Sequence, residues 1–298
     1  MPIPIPEALD ECAAVARTKA NDVRRLPRYM LSSAFAGAWV GVGIVLIMAL
    51  GGPLAAAKSP ATKLVLAAAF GIALTLVVFA GAELFTGNNM YMLQGLWAGT
   101  VTAFELAAVW VASLVGNLIG SIGLAAMVNA GGTLGAGAAN GKPGPANALV
   151  ASIASGKIAA TGSQLFWRAV LCNMLVCLAL WTAARTRSDG AKLALIWWCL
   201  LAFIGVGLEH SIANMTVFGL AIFSHSAGWN DLWRNLAWTV PGNIVGGGLV
   251  IGLGYAFAGG LTRSPEAAMA RGNGYGADVD LSAAMTSGAT SAAPSPAK

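Results

Sequence analysis

Charge is what this chain has least of. Asp, Glu, Lys and Arg make up only 10% of its 298 residues, against 57% hydrophobic residues, where soluble globular domains carry roughly 25% charge. Such a composition excludes a soluble domain and places the chain in lipid. Histidine is scarce as well, with only His210 and His225, so the paired lumen histidines of an ammonium-type channel are excluded. The four cysteines, Cys12, Cys172, Cys177 and Cys199, form no CxxC pattern and fall at the amphipathic start or inside apolar runs. They offer neither a disulfide framework nor a zinc site. HExxH is missing too, so no metal and no cofactor is expected. Without a GxxxxGK[ST] loop there is no basis for nucleotide-driven pumping. Asn-Pro-Ala, which a water or glycerol pore would need, is also missing. The net charge of +5 is too small to call for a nucleic-acid partner. Finally, Met1 to Asp10 holds three prolines, two carboxylates and no basic residue, unlike a cleavable signal peptide.

What is present is a series of long apolar runs. One of them, Leu64 to Leu84, is long enough to cross a hydrocarbon core of about 30 Å at 1.5 Å per residue. Six spans are predicted, over residues 29–51, 62–86, 98–130, 164–184, 192–223 and 232–258. Ahead of them, residues 5–26 alternate Ile5, Ala8, Leu9, Cys12, Val15 and Ala16 with Glu7, Asp10, Arg17 and Lys19. That spacing predicts an amphipathic helix at the membrane interface. The expected organisation is an N-terminal segment 1–28, a transmembrane domain 29–260 with a Gly/Ala-rich external linker 131–163, and a disordered tail 261–298. With both termini in the cytoplasm, Lys and Arg divide eleven inside to six outside, in line with the positive-inside rule. Residence in the plasma (inner) membrane follows.

The apolar runs carry one polar signature twice. Gly81, Glu83, Asn88, Gly116, Asn117 and Gly120 recur 126 positions later as Gly207, Glu209, Asn214, Gly242, Asn243 and Gly246. Three spans per copy, an odd number, would insert the two halves in opposite orientations. The expected architecture is therefore an all-α membrane protein of six transmembrane helices in two inverted three-helix repeats, with the second and fifth helices broken. Repeats with breaks at matching places point to a transport site near the midplane.

The first break, over residues 81–90, concentrates Gly and Asn, both weak helix formers, and the second covers residues 205–215. Unwound backbone at membrane depth is tolerable only beside a polar passage or inside protein. His210 lies within the second break. Imidazole has an unperturbed pKa of about 6.5 and titrates near working pH, so a proton could be exchanged as a charged solute passes. Glu83 and Glu209 are assigned to scaffolding with Asn88 and Asn214, their carboxylates accepting freed backbone N–H groups, because an anion path would not want bare negative charge. Gly116-Asn117-Leu118-Ile119-Gly120 and its copy are read as close helix packing, with an Asn bridging the spans. Ser211, His210 and Glu209 also permit an intramembrane enzyme on paper, yet helix neighbours point about 100° apart.

Residues 80–88, Gly116-Asn117-Leu118-Ile119-Gly120, residues 209–215 and residues 241–247 together resemble the formate/nitrite transporter family over about residues 10–260. Residues 214–218 and 235–243 are more similar to its nitrite-channel branch, and Thr216 departs from the formate-branch pattern. The resemblance implies a homopentamer in the lipid bilayer, with an aquaporin-like pore in each protomer. It implies that Leu84, Phe85 and Thr86 form the loop and constriction, with Thr86 bonding the solute or His210. Leu74 and Phe203 match apolar slits on either side, Phe70 standing near the cytoplasmic one. Asn173 matches a polar residue beside the pore, and Lys157 a basic residue at the outer vestibule. The expected activity is transport of a small monovalent anion, nitrite first and formate or hydrosulfide as alternatives, with protons as partners through His210.

Overall fold

A computed structural model describes residues 1–135, 137–139 and 141–263. Most of the predicted tail therefore lies outside the described residues. Leu261, assigned to that tail, is in fact buried, and its carbonyl accepts the Trp97 indole N–H at 2.9 Å.

Apart from one isolated bridge, regular structure among the described residues is helical. Six segments among the described residues are long and apolar enough to cross a membrane. They are α2 (Leu26–Ala56), the pair α3 (Thr62–Ala69) and α4 (Ile72–Phe79), α6 (Ala103–Ala130), α8 (Gly162–Ala184), α9 (Asp189–Val206), and the run Trp229–Ala258. The last is composite: α11 (Trp229–Asn243), a π-helical stretch Ile244–Leu253, and α12 (Gly254–Ala258). Shorter helices are α1 (Ile5–Asp22), α5 (Phe85–Ala98), α7 (Pro145–Ala159) and α10 (Ser211–Phe223).

The ends of these helices follow local chemistry. Thr102 with Glu105 and Thr161 with Gln164 form reciprocal capping boxes that start α6 and α8, each satisfying two otherwise orphaned donors. Gly99 ends α5 at φ +78°, a left-handed conformation in which glycine carries no Cβ penalty. That turn is why the third span begins at Ala103, not at residue 98 as expected. The linker differs too: Pro145 sits in the first turn of α7, and the Ala-rich stretch after it makes a 15-residue helix inside the predicted loop, consistent with alanine's helix propensity.

The non-helical stretches are shorter than expected. Within the two predicted breaks the chain leaves helix only over residues 81–84 and 207–210, where Gly81 and Gly207 take φ of +68° and +86°. Asn88, Asn89 and Asn214 lie in helix despite their weak propensity. Tertiary partners override that weak prior, since all three side chains are buried and hydrogen-bonded.

Two long helix pairs frame the molecule, α2 against α6 and α8 against α11. Glycines let them close. A Cβ on Gly120 would strike the Ala34 carbonyl, and one on Gly246 the Val170 carbonyl. These glycines are 126 positions apart but their partners are 136 apart, because the first span of each half joins the rest through connections of different length. Against this frame, α1 packs its buried face of Ala8, Leu9, Cys12, Ala13, Ala16 and Ala20 mainly onto α5.

Overpacking at a closed helix contact typically costs about 1–3 kcal/mol. Gly120→Ala and Gly246→Ala should each lower the melting temperature in detergent. Gly123→Ala, on the same helix as Gly120 with nothing within 4 Å of its added carbon, should leave it unchanged.

Candidate functional site

The interior is assembled where α5 and α10 begin. Each starts with backbone N–H groups that have no helical partner, and in each half one asparagine from another span supplies one. The Asn117 Oδ1 on α6 accepts the Phe85 N–H at 2.9 Å, while its Nδ2 donates to the Glu83 carbonyl at 2.9 Å and the Ser33 carbonyl at 2.7 Å. The Asn243 Oδ1 accepts the Ser211 N–H at 2.9 Å, and its Nδ2 donates to the Glu209 carbonyl at 3.1 Å and the Ala169 carbonyl at 2.8 Å. The expectation for the motif around Asn117 was packing with a bridging Asn. In the structure, each of these two amides grips the chain where a short helix begins, on either side of Leu84 in one half and of His210 in the other.

The two glutamates have partners other than those expected. Neither carboxylate takes a backbone N–H among the described hydrogen bonds. Glu83 binds the Lys19 ammonium through both oxygens at 2.8 Å, and also accepts from Asn88 at 3.1 Å and the Tyr29 hydroxyl at 3.2 Å. Glu209 accepts from Lys157 at 2.8 Å and from Asn214 at 2.7 Å. Asn214 also donates to the Asn235 Oδ1 at 2.8 Å. Lys157 is thus no free vestibular cation: its side chain is 13% exposed and that of Glu209 4%. Buried charge persists only when paired and hydrogen-bonded, and here each half uses a Lys–Glu–Asn set.

A further contact joins the halves. The Thr86 Oγ1 on α5 meets the His210 Nε2 at 3.0 Å, both residues being buried. His210 is also the N-cap of α10, its Nδ1 accepting the Ala213 N–H at 3.1 Å. Behind Thr86, the Asn173 Nδ2 lies 3.1 Å from the Thr86 carbonyl, 3.1 Å from the Asn89 Oδ1 and 2.7 Å from the Asn243 carbonyl. Asn173 thereby ties α5 to α8 and to the end of α11.

Apolar groups flank this contact. The Phe203 ring stacks on His210 at 5.9 Å, and Phe70 meets Phe203 edge-on at 5.2 Å. Phe70 therefore shares the layer of Phe203. Leu74 and Leu84 instead line a cavity of about 340 Å³ with Lys19, Glu83, Asn88 and Lys192. Phe85 turns its ring edge-on to Trp110 at 6.5 Å.

Sequence reasoning missed Lys19, Tyr29 and Asn235, and undervalued Asn117 and Asn243. The signal for the last two was available: an Asn inside an apolar span must find partners, and both occur at the same repeat offset. Ser211 has no hydrogen-bond partner for its hydroxyl, and both His210 nitrogens are engaged elsewhere. The nucleophile–base contact of the enzyme alternative is therefore missing among the described residues.

A family model described as formate/nitrite transporter matches residues 6–257. The chain belongs to the formate/nitrite transporter family. Among relatives, the nitrite transporter NirC of Salmonella typhimurium is 43% identical over 260 residues, covering 85% of this chain and 91% of that protein. A probable formate transporter of Methanothermobacter thermautotrophicus is 36% identical over 255 residues, covering 80% and 91%. Among solved structures, an FNT family ion channel matches with a TM-score of 0.77 at 42% identity, covering 85% of this chain and 98% of its own. A pentameric formate channel with formate bound matches at 0.65 and 25% identity, covering 79% and 98%. With six spans and transporter relatives, this formate/nitrite transporter family member is an integral multi-pass membrane protein that transports a small anion, and not an enzyme.

Removing a side chain that pairs several buried backbone groups leaves each unpaired at roughly 1–3 kcal/mol. Asn117→Ala and Asn243→Ala should each lower the unfolding free energy by at least about 2 kcal/mol, as measured by chemical denaturation in detergent. Lys157→Met strands the Glu209 charge and should cost about 3–5 kcal/mol. The double change Lys157→Met with Glu209→Gln should recover most of that loss.

Proposed function

We propose that this protein carries nitrite across the plasma (inner) membrane through a pore in each protomer, passing the Thr86–His210 contact. The observation that carries this reading is that contact itself: two residues 124 positions apart, at the starts of two short helices, hydrogen-bonded at 3.0 Å inside the protein. Helix N-termini carry about half a positive charge each, and two of them converge here, which favours a small anion. The names of the NirC relatives and the formate bound in a structural neighbour support the same solute class. NirC proteins share more identity with this chain than the formate transporter cited does, which favours nitrite.

In this proposal the second and fifth spans are broken helices of two inverted repeats. Both termini face the cytoplasm, five copies assemble, and the Lys19–Glu83 and Lys157–Glu209 sets stand at opposite ends of the path. The recurrence of the asparagine clamp and of the Lys–Glu–Asn set in each half supports that symmetry. The apolar layer of Phe70 and Phe203 then sets the chemistry. Moving a bare carboxylate-sized ion into low dielectric costs on the order of 20 kcal/mol in the idealised limit, whereas a neutral acid costs far less. Nitrite therefore crosses this layer with a proton shared at the Thr86–His210 pair. Lys157 and Lys19, already neutralised by glutamate, lend polarity to the approaches without trapping the anion.

Nitrite uptake into proteoliposomes tests this. His210→Asn and His210→Phe should each reduce flux by about a hundredfold, the scale of a lost proton-transfer group, and should flatten its pH dependence. Unchanged flux and pH profile in both would refute the role of His210. Competition among nitrite, formate and hydrosulfide should rank nitrite first.

A further inference from the structure

At the end of the bundle that carries α1, the last turns of α5 are covered on one face only. The Thr100 Oγ1 donates to the Ala13 carbonyl at 2.9 Å, and a carbon added to Gly95 would strike the Ala16 methyl, so α1 closes that side. On the other side α5 meets the sixth span at Leu93, whose side chain a carbon on Gly248 would strike. Beyond that contact the two elements part, and a cavity of about 550 Å³ opens between Leu93, Leu96, Trp97, Leu253 and Leu261. Residues 261–263 cross its end as a strap pinned through Leu261: the Leu261 N–H donates to the Ala256 carbonyl at 2.9 Å, and the Leu261 carbonyl accepts the Trp97 indole N–H at 2.9 Å. With its one donor used, the exposed Trp97 ring presents an apolar wall. The remaining lining residues, Thr262 and Arg263, are exposed. No carboxylate lines the cavity, and Arg263 has no ion-pair partner among the described residues.

We propose that this groove binds one anionic phospholipid per protomer, with its phosphate at Arg263 and Thr262 and an acyl chain along Leu93, Leu96, Trp97 and Leu253. The two ends of the groove call for two different chemistries. A guanidinium presents forked donors that match phosphate oxygens, and the neighbouring Thr262 hydroxyl adds another. Aliphatic and indole walls offer nothing to a polar solute and suit hydrocarbon. The space lies within the roughly 300–1,000 Å³ of small-molecule sites. Trp97 and Arg263 are also residue types that gather where acyl chains give way to headgroups, the indole at that boundary and the arginine with its stem along apolar surface and its charge beyond it. A zwitterionic lipid brings the same phosphate but offsets it with an ammonium, and the groove has no carboxylate to receive that ammonium. Charge complementarity therefore selects a headgroup of net negative charge, as basic sites between membrane helices do. The bound lipid ties the end of α5 to the end of the sixth span on the side that α1 leaves bare. This inference is independent of which solute the protein carries.

Native mass spectrometry of the full-length protein, titrated in detergent with palmitoyl-oleoyl phosphatidylglycerol and phosphatidylcholine in equal amounts, reads lipid occupancy per protomer. The tightest site should take phosphatidylglycerol at least about tenfold more strongly than phosphatidylcholine, the scale of one hydrogen bond to a charged group. Arg263→Gln should bring the two lipids close to parity, whereas Arg28→Gln, a change outside the groove, should leave the preference intact. Leu253→Trp, which fills the groove, should remove the tight site for both lipids. Equal retention of the two lipids by the wild type, or a preference untouched by Arg263→Gln, overturns the proposal. If Leu253→Trp breaks the assembly into smaller species while lipid retention is unchanged, the groove is a contact between copies of the chain and the proposal falls. Should that variant fail to fold, as its melting temperature would show, the Arg263→Gln result decides alone.

Discussion

Stopping a helix inside the protein strands backbone donors and acceptors that no solvent can reach, and everything central to this protein depends on how they are satisfied. The solution is one amide per half. Asn117 and Asn243 each accept the first N–H of a short helix and donate to the carbonyl just before it, while also gripping a carbonyl of a neighbouring span. A side-chain amide suits this because it is both donor and acceptor. Aspartate could not donate, and serine could not reach three partners at once. The flanking glycines are part of the same device, because only without a Cβ can α6 and the π-helical stretch approach α2 and α8 closely enough for those bonds.

Charge is then placed around the two stops with the same economy. Beside each stop a glutamate, Glu83 or Glu209, is answered by a lysine and an asparagine. The lysines come from elements outside the six spans, Lys19 from the N-terminal helix and Lys157 from the helix in the linker. Both peripheral helices are therefore bound into the core by ion pairs that lipid leaves poorly screened, and removing either partner would leave a bare charge. The centre, by contrast, is neutral and hydrogen-bonded, with aromatic rings on one side of His210.

Much of this was legible in the residues. The apolar runs located six spans, the 126-residue recurrence identified the positions that matter in each half, and a lone histidine in an apolar segment singled out His210. The errors have separate causes. The stretches around Asn88 and Asn214 were expected to unwind, yet they are helical because Glu83, Tyr29, Glu209 and Asn235 satisfy their amides. By contrast, α7 was taken for loop because its glycine-rich flank masked an alanine-rich helix.

The sequence by itself determined the solvent, the number of crossings, the duplication and the identity of the polar residues, because periodicity and composition are local properties of a chain in lipid. Only the tertiary structure decided who answers whom: Lys19 with Glu83, Asn117 with Phe85, Ala213 with His210, and His210 with Thr86. Hydrogen bonds act over about 3 Å, and no spacing along a chain states which two buried groups, 60 or 120 positions apart, will be brought to that distance.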